Sequence, residues 1–224
     1  MEKAKVIITG STGMIGESVL DQCLKHENIE KILVINRRNS GMQHPKLSEI
    51  VLEDISDLST VSDQLSGYSA CFFCIGVSAL GMDEAKYTAL TYTLTIKFAT
   101  QLSKINPDMT FCYISGAGTD TSEKGRMMWA RVKGKTENDL IKLPFKKVYN
   151  FRPGMLIPYL PVKPTQTYQS VKYIKWLLLL LRPVFPNYIL KLSDLGLAMI
   201  NSLKVDYPVK ILEAPDIRKL AWMK

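Results

Sequence analysis

The stretch Lys5-Val6-Ile7-Ile8-Thr9-Gly10-Ser11-Thr12-Gly13-Met14-Ile15-Gly16 joins an apolar, β-branched run to three glycines spaced G-x-x-G-x-x-G. Val6-Ile7-Ile8 is apolar at consecutive positions, as a strand covered on both faces requires. The glycines allow positive φ in a tight turn, let the backbone come within contact of a pyrophosphate, and permit the following helix to pack closely on the strand. The start of that helix offers unpaired N–H groups and the positive end of its dipole to an anion. This spacing is specific in a strand-turn-helix context, so Gly10, Ser11, Thr12, Gly13, Met14, Ile15 and Gly16 are candidate coenzyme contacts. A tight turn that holds no ligand is the plainer alternative.

The rhythm set by this unit continues along the chain. Strands are expected at Lys5 to Thr9, Lys31 to Asn36, Ser48 to Leu52, Ala70 to Ile75, Thr110 to Ser115 and Lys147 to Phe151. Between them fall helical windows at Gly13 to Lys25, Asp57 to Leu65, Glu84 to Lys104 and Arg126 to Lys142. Alternating strands and helices argue for an α/β fold, a doubly wound parallel sheet. After Pro153 the rhythm breaks at Pro158, Pro161 and Pro164. Helices are then expected from about Gln166 to Leu181 and from Ser193 to Leu203, with a short strand at Val209 to Leu212. The expected division is a nucleotide-binding core over residues 1–153 and a small C-terminal, substrate-side appendage over 154–224 packed on the same sheet.

The 224 residues are 46% hydrophobic and 22% charged, an ordinary globular composition. A chain of this length buries roughly 70% of its unfolded surface, enough for one core without disulfides. The longest apolar run, Trp176 to Leu181, is far short of the about 20 residues that a membrane-spanning helix needs. Its leucine-rich surroundings read first as core, then as a dimer contact, and last as a membrane-surface helix. The N-terminus shows no apolar h-region, and a cytoplasmic protein is the expectation. The net charge of +8 lies in the second half: residues 1 to 114 hold 10 Lys and Arg against 13 Asp and Glu, and residues 115 to 224 hold 19 against 8. The basic residues are scattered without a nucleic-acid motif, so a solvated face is the reading adopted and nucleic acid is not an expected partner. Cys71 and Cys74 form a C-x-x-C, but alternation in a strand sends them to opposite faces, and no second pair completes a metal shell; no metal site is expected.

The second strand ends in Asn36-Arg37-Arg38. An acid at this strand end accepts from an adenosine ribose 2′-hydroxyl, whereas arginine accommodates a 2′-phosphate through charge-assisted hydrogen bonds. With no acid and two arginines, NADP(H) is expected in preference to NAD(H); one arginine merely snorkelling at the sheet edge would still leave the other.

The glycine turn, Arg37-Arg38, Glu53-Asp54-Ile55 after the third strand, Cys74-Ile75-Gly76 after the fourth, Ser115 ending the fifth and Arg152-Pro153-Gly154 ending the sixth together resemble the short-chain dehydrogenase/reductase superfamily. Val132-Lys133-Gly134 followed by Glu137 is similar to its atypical, nucleotide-sugar-epimerase-like branch, which includes the Tat-interacting-protein relatives. The resemblance covers nearly the whole chain and implies a Rossmann fold. It also implies that Asp54 contacts the adenine amino group, and that main chain around Gly76 and Pro153 flanks the adenosine ribose and the nicotinamide. Ile55, Cys74 and Ile75 belong to the same implied contacts.

That superfamily's reaction centre is Ser, Tyr and Lys, with Tyr and Lys spaced Y-x-x-x-K on one helix face. Ser115 and Lys133 fit the pattern, but the residue four before Lys133 is Trp129. Indole has one N–H donor and no proton that titrates usefully, so it cannot serve a substrate carbonyl as tyrosine does. Two readings follow. The chain is an NADPH-dependent oxidoreductase or epimerase-like enzyme whose proton comes from Ser115, water or a displaced tyrosine, with Ser115 polarising a small-molecule substrate of unread identity and Lys133 orienting the coenzyme. Alternatively it is an NADP(H)-binding sensor or scaffold with little turnover. Tyr87, Tyr92, Tyr113, Tyr159 or Tyr168 could supply a hydroxyl from another direction.

Overall fold

A strand that is sandwiched between helices must be apolar on both sides, and the centre of β1 (Ala4–Thr9) meets that condition: Val6, Ile7 and Ile8 have no solvent exposure. The computed structural model describes residues 3–157 and 188–223. After β1 come α1 (Met14–Lys25), β2 (Ile29–Asn36), β3 (Leu47–Val51) and β4 (Ala70–Phe73). Then follow α2 (Glu84–Thr88), α3 (Leu94–Ile105), β5 (Thr110–Ile114), α4 (Met128–Leu140), β6 (Lys147–Arg152) and β7 (Met155–Ile157). The chain closes with β8 (Ile189–Lys191), α5 (Leu192–Asn201), β9 (Ile211–Glu213) and α6 (Ala214–Ala221).

Seven of these strands form one sheet in the order β3-β2-β1-β4-β5-β6-β9, and every described pairing in it is parallel. This is the doubly wound Rossmann arrangement. The chain winds outward from β1 to β3 and then crosses back to β4, so the order reverses between β1 and β4. Such a reversal is where doubly wound sheets, as a rule, take their ligands, in a crevice outside the carboxyl ends of the strands. β7 and β8 make a separate parallel pair, whereas β9 adds the last strand of the main sheet beside β6.

Alternation along β1 divides the core. Val6 and Ile8 face a cluster with Val19, Leu20 and Cys23 of α1, Leu195 and Met199 of α5, and Ile217 and Leu220 of α6. Ile7 faces the other cluster, with Phe98 and Leu102 of α3 and Leu140 of α4. There Phe73 sits 5.3 Å from Phe98 and 5.9 Å from Phe111, ring centroid to centroid. Cys71 belongs to the second cluster and Cys74 packs against the first, so the C-x-x-C pair is split across the sheet.

Three helical stretches differ from expectation, and the β7–β8 pair is an addition to it. The stretch at Asp57 to Leu65 holds only a short 3-10 turn, Ser59–Gln64. Asp57 accepts from the Ser59 N–H and Ser62 donates to the Ser59 carbonyl, and such local bonds compete with an α-helix. The long window at Glu84 to Lys104 is interrupted by a π turn, Ala89–Thr93, where Thr95 donates to the Thr91 carbonyl at 2.5 Å. The third difference is α6, which sequence reading passed over although Glu213 and Asp216 form a capping box around Pro215. The expected helix from Gln166 to Leu181 and its leucine run lie outside the described residues.

At Gly16 the packing of α1 on the turn tolerates no added carbon. A Cβ on Gly16 would lie 2.1 Å from the Gly10 carbonyl oxygen. Gly16→Ala is therefore expected to cost more than about 2 kcal/mol, toward the upper end of overpacking penalties. Gly76→Ala, with nothing within 4 Å of its Cβ, should stay within about 0.5 kcal/mol. Urea unfolding of both variants checks the contrast.

Candidate functional site

Gly10 takes φ +68°, the left-handed region, and its missing Cβ would stand 2.8 Å from the Cys74 carbonyl oxygen. The glycine turn and the end of β4 are thus in backbone contact, which draws in the walls of the crevice. Gly13 N-caps α1 and, having no side chain, makes no side-chain cap bond there. Ser11 is buried and donates to Asn36 Oδ1 at 3.0 Å, tying the turn to the end of β2. Asn36 Nδ2 donates to Glu49 at 2.7 Å, and Glu49 also accepts from the Ser40 N–H and hydroxyl. The loop that carries Arg37 and Arg38 is therefore pinned at both ends. The two arginines themselves are exposed, and neither forms an ion pair among the described residues.

Across the crevice, Asp54 accepts from the Ser56 N–H and hydroxyl and lies 3.5 Å from Lys97. Those hydrogen bonds from Ser56, chiefly the hydroxyl's, hold its carboxyl below the usual range. Ile55 is buried beside it; Cys74 and Ile75 are partly buried, and Gly76 is open to solvent.

The second half of the site lies at the carboxyl ends of β5 and β6. Lys133 and Glu137 stand one turn apart on α4, and Lys133 donates to the main-chain carbonyl of Ser115. Burial pushes the Lys133 ammonium down to about 8, against the opposing attraction of Glu137. Glu137 has no solvent exposure. Its Oε1 accepts from the Ser115 hydroxyl at 2.5 Å and from Arg152 Nε at 3.0 Å, and its Oε2 accepts from Arg152 Nη2 at 2.5 Å. Arg152 also donates to Thr121 Oγ1 at 2.6 Å and to Glu213 at 3.2 Å. One bidentate pair thus joins β5, β6, α4, the β5–α4 loop and the cap of α6. The Ser115 hydroxyl spends its proton inside the protein, and the Pro153 carbonyl accepts from the Ala117 N–H at 2.9 Å.

Trp129 opens the same helix, half-buried. A Cβ on Gly118 would lie 3.5 Å from the edge of its ring, so the indole covers the glycine-rich loop after β5. Of the alternative tyrosines, Tyr87 and Tyr113 are buried and Tyr92 donates to Asp139 at 2.8 Å, while Tyr159 and Tyr168 lie outside the described residues.

All the residues singled out in the sequence fall at the carboxyl edge of the sheet, in two groups: the glycine turn with Arg37, Arg38, Asp54, Ile55, Cys74, Ile75 and Gly76, and Ser115 with Lys133 and Pro153. What sequence reading missed is the pairing of Glu137 with Arg152, and the tethers Asn36, Glu49 and Thr121. A signal existed only in residue type: both residues stand in the motifs quoted for the resemblance, Val132-Lys133-Gly134 with Glu137 and Arg152-Pro153-Gly154, and carry opposite charge.

The comparisons with known proteins agree with this fold. Residues 6–119, half of the chain, match the family described as "NAD dependent epimerase/dehydratase family". Protein HTATIP2 of Rattus norvegicus is 24% identical over 159 residues, 70% of this chain and 64% of that protein. The protein fmp52-1, mitochondrial, of Aspergillus oryzae is 27% identical over 160 residues, 68% of this chain and 66% of its own length. The match therefore spans slightly under two thirds of these relatives. Among solved structures, the Bordetella bronchiseptica enzyme WbmF in complex with NAD+ aligns with a TM-score of 0.70 at 13% identity, covering 98% of this chain and 77% of that one. MoeE5 in complex with UDP-glucose and NAD aligns with a TM-score of 0.65 at 14% identity, covering 97% and 80%. At such identities the likeness shows the fold.

Several relatives are named as mitochondrial, which overturns the expectation of a cytoplasmic protein. That expectation rested on a missing apolar h-region, a mark of secretory leaders only. Mitochondrial targeting segments are amphipathic and rich in Arg and Ser, so the criterion had no bearing on them. No helix among the described residues is long and apolar enough to cross a membrane.

Removing one partner of a buried ion pair strands the other. Glu137→Ala is expected to lower stability by about 3–5 kcal/mol. Glu137→Met combined with Arg152→Met should cost much less than the sum of the two single changes. A double-mutant cycle measured in urea decides it.

Proposed function

The chain belongs to the NAD dependent epimerase/dehydratase family, and from that premise we propose that it binds NADP(H) and acts as an oxidoreductase or epimerase-like enzyme on a small molecule. The observation that carries the reading is the glycine turn. Gly10 and Gly16 leave no space for a Cβ, Gly13 at the N-cap of α1 offers no side chain, and the backbone N–H groups there suit a pyrophosphate. Arg37 and Arg38 support the preference for the phosphorylated coenzyme. Glu49, the acid tied to their loop, is engaged by Asn36 and Ser40, which leaves both guanidinium groups for a 2′-phosphate. Asp54 and the main chain at Gly76 and Pro153 would line the rest of the coenzyme, with Ser115 and Lys133 beside the nicotinamide. When bound, the coenzyme supplies or accepts a hydride. Residues 1–153 are taken as the coenzyme-binding part and 154–224 as the side that selects substrate.

A second reading, a coenzyme sensor with little turnover, is favoured by one observation: Trp129 covers the loop after β5 where the superfamily pattern places a tyrosine. Trp129→Tyr separates the two. A gain of about 10²–10⁴-fold in carbonyl reduction marks a reductase lacking its acid, whereas no activity in either form marks the sensor.

The coenzyme preference is tested by titrating NADPH and NADH against intrinsic fluorescence. Each of Arg37→Ala and Arg38→Ala is expected to weaken NADPH by about 10- to 100-fold, the value of one charge-assisted hydrogen bond. NADH should change by less than about 2-fold. Equal affinity of the unaltered protein for both coenzymes would remove the 2′-phosphate argument.

A further inference from the structure

We propose that Lys133 itself delivers the proton to the substrate oxygen in this site, in the role that the Y-x-x-x-K pattern gives to tyrosine. The inference rests on the reading of the chain as a carbonyl-reducing enzyme and goes beyond it by naming the acid.

Trp129 stands where the tyrosine would be, and its indole does not titrate in the useful range. The Ser115 hydroxyl carries one proton, and it is given to Glu137. Glu137 is enclosed and only accepts, from Ser115 and from both branches of Arg152. Among the described residues, Tyr92 is engaged by Asp139, and Tyr87 and Tyr113 are buried in the core; Tyr159 and Tyr168 lie outside them. An ammonium has three N–H donors, and one of Lys133's is spent on the Ser115 carbonyl. Two remain, one for the coenzyme ribose and one for the substrate.

The groups around Lys133 set its proton affinity. From β5 it meets the Ser115 carbonyl, and from its own helix Glu137. From β6 comes Arg152, which neutralises Glu137. On the β5–α4 loop, the Asp120 carboxylate is turned back onto Ser122 and Gly125. Partial burial thus outweighs the attraction of an already paired carboxylate, and the ammonium gives up its proton near 8. An acid with that affinity is matched to proton transfer at neutral pH. The balance of the step is simple. The carbonyl carbon receives a hydride from the reduced nicotinamide coenzyme and the C=O π pair moves to oxygen. An Nζ–H bond of Lys133 breaks as the O–H bond forms. The substrate is reduced to an alcohol, the coenzyme is oxidised, and the neutral amine recovers a proton from solvent.

The test has two arms. In the first, the coenzyme-free protein is acetylated at a series of pH values and Lys133 is followed by peptide mass spectrometry. Half-maximal reactivity near pH 8 is expected, against about 10 for exposed lysines; a midpoint near 10 for Lys133 overturns the proposal. In the second, NADPH oxidation is followed with benzaldehyde, hexanal and cyclohexanone between pH 6 and 9.5. The rate should be level below about pH 8 and fall about tenfold per unit above it. Lys133→Arg cannot release a proton in this range; it should lose at least about 100-fold in turnover while NADPH affinity changes by less than about 3-fold. Retained turnover in Lys133→Arg overturns the proposal. NADPH binding without reduction of any of the three carbonyls also overturns it and leaves coenzyme binding standing, whereas failure to bind NADPH overturns the underlying reading.

Discussion

A carboxylate with no access to water must have its charge and its lone pairs met by the protein, and Glu137 is such a group. Its demands organise the carboxyl end of the sheet. Arg152 can meet them only from the end of β6, and Ser115 only from the end of β5, so these two strands and α4 are held in one relative position. The remaining guanidinium donors reach Thr121 and Glu213, which fixes the loop over the site and the cap of α6 in the same network. Helix α4 can come this close because it has Gly134, where a Cβ would lie 1.8 Å from the Asp120 carbonyl oxygen. The same helix carries Trp129 and Lys133, so this half of the candidate site inherits its geometry from a structural ion pair.

The coenzyme side depends on a different kind of constraint, the absence of atoms. Gly10 and Gly16 permit a turn so tight that the end of β4 touches it. Ser11, Asn36 and Glu49 then carry that position outward to the loop of Arg37 and Arg38 through consecutive hydrogen bonds. Polar side chains tether the walls where an apolar core has run out, at the sheet's edge.

Much of this was legible in the sequence where the signal was local. The six strand positions, the glycine turn and the start of α1 follow from apolar runs and residue spacing, and the structure places each within a few residues. Legibility failed where local bonds compete with the regular pattern, as in the 3-10 turn at Ser59–Gln64 and the π turn at Ala89–Thr93. It failed again for Ser115. The sequence places this residue at the site but does not say where its hydroxyl points, because the acceptor, Glu137, lies 22 residues away on another element. Cellular location failed for another reason: the criterion applied to one kind of leader and was silent on the rest.

The sequence by itself determined the parallel α/β fold, the edge of the sheet at which the residues of interest gather, and the replacement of tyrosine by Trp129 beside Lys133. Those are properties of spacing and residue type, which periodicity and steric limits convert directly into local structure. Only the tertiary structure decided which charges meet. The Glu137–Arg152 pair, the inward turn of the Ser115 hydroxyl and the lowered proton affinity of Lys133 all arise from burial. Burial is set by the packing of α4 against β5 and β6, a relation between distant segments that no local pattern records.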